Sequence, residues 1–175
     1  MRKPVPFVTS AAATVLMICA AMLSPMGTGT AAGAPPGTTG TTTRAPFTPA
    51  HRSCDFHNLG STNFGAVGSG TGEALIHTSG NTVVAEVNFS NPRFLGVHYQ
   101  VGLIQAPRPA APGCGPGTPG TAYVDMVIDG AGRAAVTLQD QIRPGMTGVW
   151  LKIDRFGPHS QLPAEYYSTI MITPV

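Results

Sequence analysis

Apolar and polar residues alternate in short runs along most of this chain, and this alternation constrains the fold more than any other feature. Residues 82–89 (TVVAEVNF) place Val83, Val87 and Phe89 on one face and Glu86 and Asn88 on the other. A side-chain period of two is typical of a half-buried antiparallel strand. The same pattern recurs in the runs 74–78, 97–105, 123–128, 134–138, 149–154 and 166–173, whereas 56–67 is ambiguous.

The spacing of these runs predicts an all-β domain. After the N-terminal segment, no window of about eleven residues carries an apolar stripe at helical spacing. About seven strands with regular turns favour an immunoglobulin-like antiparallel β-sandwich, with a small β-barrel as the alternative. The turn residues 129–132 (DGAG) predict a hairpin between 123–128 and 134–138. The immunoglobulin signature itself is absent, because Trp150 follows both internal cysteines instead of lying between them.

The N-terminus has the organisation of a secretion signal. Arg2 and Lys3 precede an apolar stretch at 11–23, which is shorter than the roughly 20 residues that a membrane-spanning helix needs. Small residues follow, so we expect residues 1–32 to form a signal peptide, cleaved after Ala31 or Ala32. A segment left uncleaved would be a membrane anchor, and we expect no other membrane contact. The mature protein is therefore expected outside the cell or on the cell wall.

The next residues have the composition of a linker. Residues 33–50 are almost entirely Ala, Gly, Thr and Pro, which offer little apolar surface to offset the entropy of ordering. We expect a disordered linker over 33–50, with a threonine cluster that resembles O-glycosylated stalks in composition. The β-sandwich domain is then expected over 51–175.

Cysteine usage predicts one disulfide. The chain has 3 cysteines, and Cys19 lies in the signal segment, so Cys54 and Cys114 remain. An even pair in an exported chain is expected to be oxidised. The closed loop of about 60 residues would stabilise the domain by about 4 kcal/mol in the chain-entropy model.

The charge balance argues against nucleic acid as a partner. Loss of Arg2 and Lys3 with the signal leaves basic and acidic side chains in balance, although the full chain has a formal charge of +2. A nucleic-acid surface would need clustered Lys and Arg, and no such run is present in the sequence.

No residue pattern indicates catalysis or a cofactor. Ser69 lies between two glycines but lacks the frame of a nucleophile elbow. The densest group of metal-ligand residues is His51, Asp55 and His57, and the neighbouring Cys54 is assigned to the disulfide. These three residues are the weak candidates for a metal site, and we expect neither a resident metal nor a cofactor.

The best candidates for a binding surface are a loop and three aromatic residues. Residues 106–120 (APRPAAPGCGPGTPG) form a long irregular segment that carries Arg108 and would be tied to the start of the domain by Cys114. Trp150 alternates away from its apolar neighbours, and Tyr166 and Tyr167 point to opposite faces of their strand. An exposed Trp beside an exposed Tyr would suit carbohydrate or protein recognition. The alternative is that both faces are covered and Trp150 is core.

These features favour a non-catalytic binding module that is secreted or attached to the cell surface. Its partner would be an unknown protein or a cell-wall ligand. The alternatives are an extracellular hydrolase of unfamiliar type and a small carrier of metal or haem.

Overall fold

The computed structural model describes residues 41–60 and 68–175, which fold into antiparallel β-strands. Nine strands are present in these ranges and no helix. They are β1 (Thr43–Thr48), β2 (Thr71–Ser79), β3 (Thr82–Ser90), β4 (His98–Ala106), β5 (Thr121–Val127), β6 (Arg133–Gln141), β7 (Gly148–Phe156), β8 (Pro163–Thr169) and β9 (Thr173–Pro174). The all-β prediction is confirmed.

The strands form one sheet in the order β5-β4-β7-β8-β1-β2-β3-β6, with β9 added beside β7. β1 joins the two halves, because 43–46 pairs with β2 and 47–48 pairs with β8. We call β1-β2-β3-β6 half A and β5-β4-β7-β8 half B. The terminal strands β5 and β6 also pack together, so the sheet is nearly closed. This shape is compatible with the small-barrel alternative as well.

The predicted hairpin between β5 and β6 is wrong. Residues 129–132 do form a tight turn, in which Gly132 N–H donates to the Asp129 carbonyl at 3.0 Å. The strands on either side then separate, since β5 pairs with β4 and β6 pairs with β3 over nine residue pairs. The turn signal was genuine, but longer ladders with other strands outcompete the local pairing.

The core lies between the two halves and follows the predicted alternation. Half A contributes Ile76, Val83, Ala85, Val87, Phe89 and Leu138, and half B contributes Tyr99, Val101, Leu103, Met126, Val149, Leu151, Ile153 and Tyr167. At one end Phe89 meets Tyr99 and Tyr167 edge to face, with ring centroids 5.5 and 4.9 Å apart. Burial of these apolar faces is the main source of stability.

The prediction of a disordered linker over 33–50 is wrong for its last part, where β1 lies. Ala45 is buried in the core and Phe47 packs against it. Threonine is common in linkers but also favours strands. In addition, β1 gains pairing partners on both sides, namely β2 and β8. The predicted signal peptide, 1–32, and the rest of the linker up to residue 40 lie outside the described residues, as do 61–67 of the ambiguous segment.

Candidate functional site

The outward face of half B is covered by two loops. Trp150 and Ile104 point away from the main core and form a second, smaller core with Ala106 and Cys114. Residues 50–60, which we call the first covering loop, and 106–120, the long loop, lie over this face. A sheet face that would otherwise meet solvent is thereby buried, and the loops become the molecular surface on this side.

A disulfide joins the two loops, as predicted. Cys54 of the first covering loop is bonded to Cys114 of the long loop, with their Cα atoms 5.5 Å apart. The bridge therefore crosses the outward face of half B and holds the long loop against Trp150.

Trp150 is fully buried under Phe56. The two rings meet edge to face with centroids 5.4 Å apart, and the Arg52 guanidinium lies over the Phe56 ring, 4.0 Å from its centroid. Arg52 Nε also donates to Ser168 Oγ at 3.1 Å, which ties the covering loop to β8. Trp150 is therefore core, and its prediction as an exposed binding residue is wrong.

The two tyrosines of β8 also are not exposed. They point to opposite faces, as the alternation predicted: Tyr167 enters the main core and Tyr166 lies under His51, with ring centroids 5.0 Å apart. Both are at most 2% exposed. The binding-surface prediction is wrong for Tyr166 and Tyr167, because alternation assigns a side chain to a face but not to solvent.

A charged pair lies beside this covered region on the outward face of half B. Lys152 Nζ is 2.7 Å from Asp154 Oδ2, and the Tyr123 hydroxyl donates to the Cys114 carbonyl. Burial lowers the pKa of Lys152, but Asp154 and Tyr123 outweigh burial and the net pKa is raised. Lys152 therefore stays an ammonium ion that is neutralised by Asp154.

The predicted metal candidates do not converge. His57 Nδ1 lies 2.9 Å from Asp55 Oδ2, whereas the His51 ring lies against Tyr166. The hydrogen bond from Ser53 is the main cause that lowers the pKa of Asp55. Within 41–60 and 68–175, no three His, Cys, Asp or Glu side chains are grouped so that they could hold a metal ion.

The same turn resembles a catalytic triad only in composition. In a working triad the histidine stands between serine and carboxylate, and takes the serine proton. Here Asp55 stands in the middle and accepts from both Ser53 and His57. Ser53 Oγ contacts the His57 backbone carbonyl, and the His57 imidazole contacts Asp55 instead, so the imidazole is not placed to take the Ser53 proton.

A buried carboxylate network was missed by the sequence analysis. Glu165, 1% exposed, accepts hydrogen bonds from four side chains, namely Asn91 Nδ2 at 2.9 Å, Tyr99 Oη at 2.8 Å, Arg155 Nε at 2.9 Å and the Tyr167 hydroxyl. Burial tends to raise the pKa of Glu165, but these donors outweigh it and hold the pKa below its ordinary value. All four acceptor positions of the carboxylate are used, which leaves none for a substrate.

Arg108, the predicted cation of the long loop, lies beside a second arginine. Its Nη2 donates to the Pro119 carbonyl at 3.2 Å, while the Arg143 side chain lies against the adjacent residue, Gly120. Gln105 holds the loop between β6 and β7 (142–147) in place by accepting from the Arg143 backbone N–H at 3.0 Å. We call Arg108 and Arg143 the arginine pair. No sequence pattern indicates this pair, because its two arginines have a sequence separation of 35 and only folding brings them together.

Comparison of the chain with protein-family models, curated proteins and solved structures finds no significant match. In the part of the chain that the structure describes, no helix has the length and apolarity to cross a membrane.

Proposed function

We propose that this chain is an exported, non-catalytic binding module that presents its long loop (106–120) to a protein or cell-wall ligand. The observation that carries the proposal is the disulfide between the covering loops. It is compatible with an oxidising compartment, and it fixes an irregular loop that would otherwise be mobile. Fixing a loop before binding reduces the entropy that binding costs.

The buried acids support a binding role rather than catalysis. Within the described residues the buried carboxylates are Asp154 and Glu165. Asp154 pairs with Lys152, and Glu165 accepts from the four donors of the network. A general acid or base needs a pKa near the working pH and a free path to substrate. Neither is available at Glu165, whose pKa is lowered.

Export and the finer architecture belong to the same proposal. We infer that residues 1–32 direct secretion, and that the domain is of immunoglobulin-like type. The two antiparallel halves packed face to face over one core support this type, while the nearly closed sheet suits a small barrel equally.

The test is retention of envelope material by the exported protein. Cell-wall fragments and secreted proteins are passed over immobilised native protein, and over a variant in which 109–112 (PAAP), exposed at the loop tip, is replaced by Gly-Ser-Gly-Ser. We expect a reproducible ligand that the native protein retains and the variant loses. Equal retention by both, or no retention, would overturn the proposal. Bait-dependent cleavage of the retained ligand, detected by mass spectrometry, would favour a hydrolase instead.

A further inference from the structure

We propose that Arg108 and Arg143 form a binding site for a tetrahedral oxyanion of the phosphate or sulfate type. The inference rests on the proposed function, because the site is part of the surface of the long loop.

The two guanidinium groups are held close together by consecutive residues of the same backbone. Arg108 is fixed through the Pro119 carbonyl, and the Arg143 side chain fills the space that a Cβ at Gly120 would occupy. Gly120 has a φ of 73°, in the left-handed region that favours glycine. The backbone at 119–120 thus accommodates both side chains, because Pro119 accepts from Arg108 and Gly120 leaves room for Arg143.

The arginine pair has N–H donors without acceptors and forms no ion pair with an acidic side chain among the described residues. Nε and Nη1 of Arg108 and Nε of Arg143 are excluded from solvent and have no acceptor within the described residues. None of the ion pairs formed among 41–60 and 68–175 includes either arginine. The neighbouring carboxylate, Asp140, accepts from Gln105 Nε2 at 2.7 Å instead. Two adjacent cations that form no ion pair repel each other, and a bound anion would relieve this repulsion.

The chemistry of the pair favours a tetrahedral dianion. A guanidinium presents paired N–H donors that match two oxygens of one anion. Two such groups need more acceptor oxygens than a single carboxylate offers, and two charges to balance them. Both arginines remain partly exposed, so a ligand can approach them from solvent.

The test is titration of the exported protein with sodium phosphate at constant ionic strength, followed by calorimetry and by the arginine Nε–H signals in nuclear magnetic resonance. We expect saturable binding that perturbs the signals of Arg108 and Arg143. Loss of a charged hydrogen bond predicts binding about tenfold to a hundredfold weaker in Arg108→Ala and in Arg143→Ala. Arg93→Ala, which removes an exposed arginine elsewhere, is the matched control and should bind as the native protein does.

The outcomes separate this inference from the proposed function. Absent binding, or equal binding by all four proteins, overturns the anion site. Envelope retention and phosphate binding that both arginine variants keep also overturn it, and leave the binding module intact. Phosphate binding without envelope retention supports the anion site and overturns the module. A soluble poly(glycerol phosphate) chain that binds with the same dependence on both arginines identifies a polymer as the source of the phosphate, and binding of the free ion alone identifies inorganic phosphate.

Discussion

Phe56 and Trp150 meet edge to face with their ring centroids 5.4 Å apart, although Phe56 belongs to a loop and Trp150 to a strand almost a hundred residues later. The contact places the tryptophan between a sheet and a loop. Because the chain has 1 tryptophan, its fluorescence reports directly on whether the covering loops are in place.

Breaking the disulfide should uncover Trp150 and destabilise the domain. The bridge closes a loop with a sequence separation of 60, for which the chain-entropy model gives about 4 kcal/mol. We expect Cys54→Ser/Cys114→Ser to unfold at lower urea concentration, and its native-state emission to shift to the red. A variant with native stability and emission would show that the loops cover Trp150 without the bridge.

Two substitutions of Phe56 distinguish the stability that its ring contact provides from the cost of its backbone conformation. Phe56 has a φ of 70°, which costs an L-residue about 1 kcal/mol and glycine almost nothing. Phe56→Gly and Phe56→Ala both lose the contact with Trp150, so both should be less stable than the native protein. Phe56→Gly should nevertheless be about 1 kcal/mol more stable than Phe56→Ala in urea denaturation. The reverse order would contradict the left-handed conformation.

The Glu165 network makes stability depend on pH in the acid range. Because folding lowers the pKa of Glu165 below 4.5, its contribution is complete above about that pH and is lost as the pH falls through the lower folded-state value. Glu165→Gln should cost about 3 kcal/mol at pH 7, since it removes a buried carboxylate that accepts from partly buried Arg155 and from three other donors. It should also flatten the loss of stability toward about pH 3.

The control for this prediction is Glu86→Gln, an exposed site on β3, where we expect a change within about 0.5 kcal/mol. Urea denaturation across the acid range measures both variants. An unchanged acid dependence in Glu165→Gln would mean that Glu165 is not held as a carboxylate.

Gly102 provides the space in which the Tyr123 ring lies. A Cβ at Gly102 would be 2.5 Å from Tyr123 Cε1, whereas a Cβ at Gly115 would meet nothing within 4 Å. Gly102→Ala should therefore displace the ring and cost about 1–3 kcal/mol, while Gly115→Ala stays within about 0.5 kcal/mol of native. Thermal denaturation of the pair measures the difference, and equal melting temperatures would contradict the packing of Tyr123 over Gly102.

The sequence predicted which side chains point inward but not which surfaces remain open. Alternation assigned Val83, Val87 and Phe89 to one buried face correctly, because a strand's period is local. It could not show that Phe56 covers Trp150, since that depends on a distant loop. Strand β1 was missed because composition suggested a linker, although the strand gains pairing partners on both sides. The arginine pair was missed for the same reason as the cover over Trp150: its members meet only through tertiary structure.

We propose that the chain is exported and that the Cys54–Cys114 bridge holds its long loop across half B. The most direct measurement is peptide mapping under non-reducing conditions, by mass spectrometry of protein collected from the medium of secreting cells. We predict a new N-terminus after Ala31 or Ala32 and one cross-linked peptide pair containing Cys54 and Cys114. Recovery from the cytosol with Met1 intact and both thiols open to alkylation would contradict it.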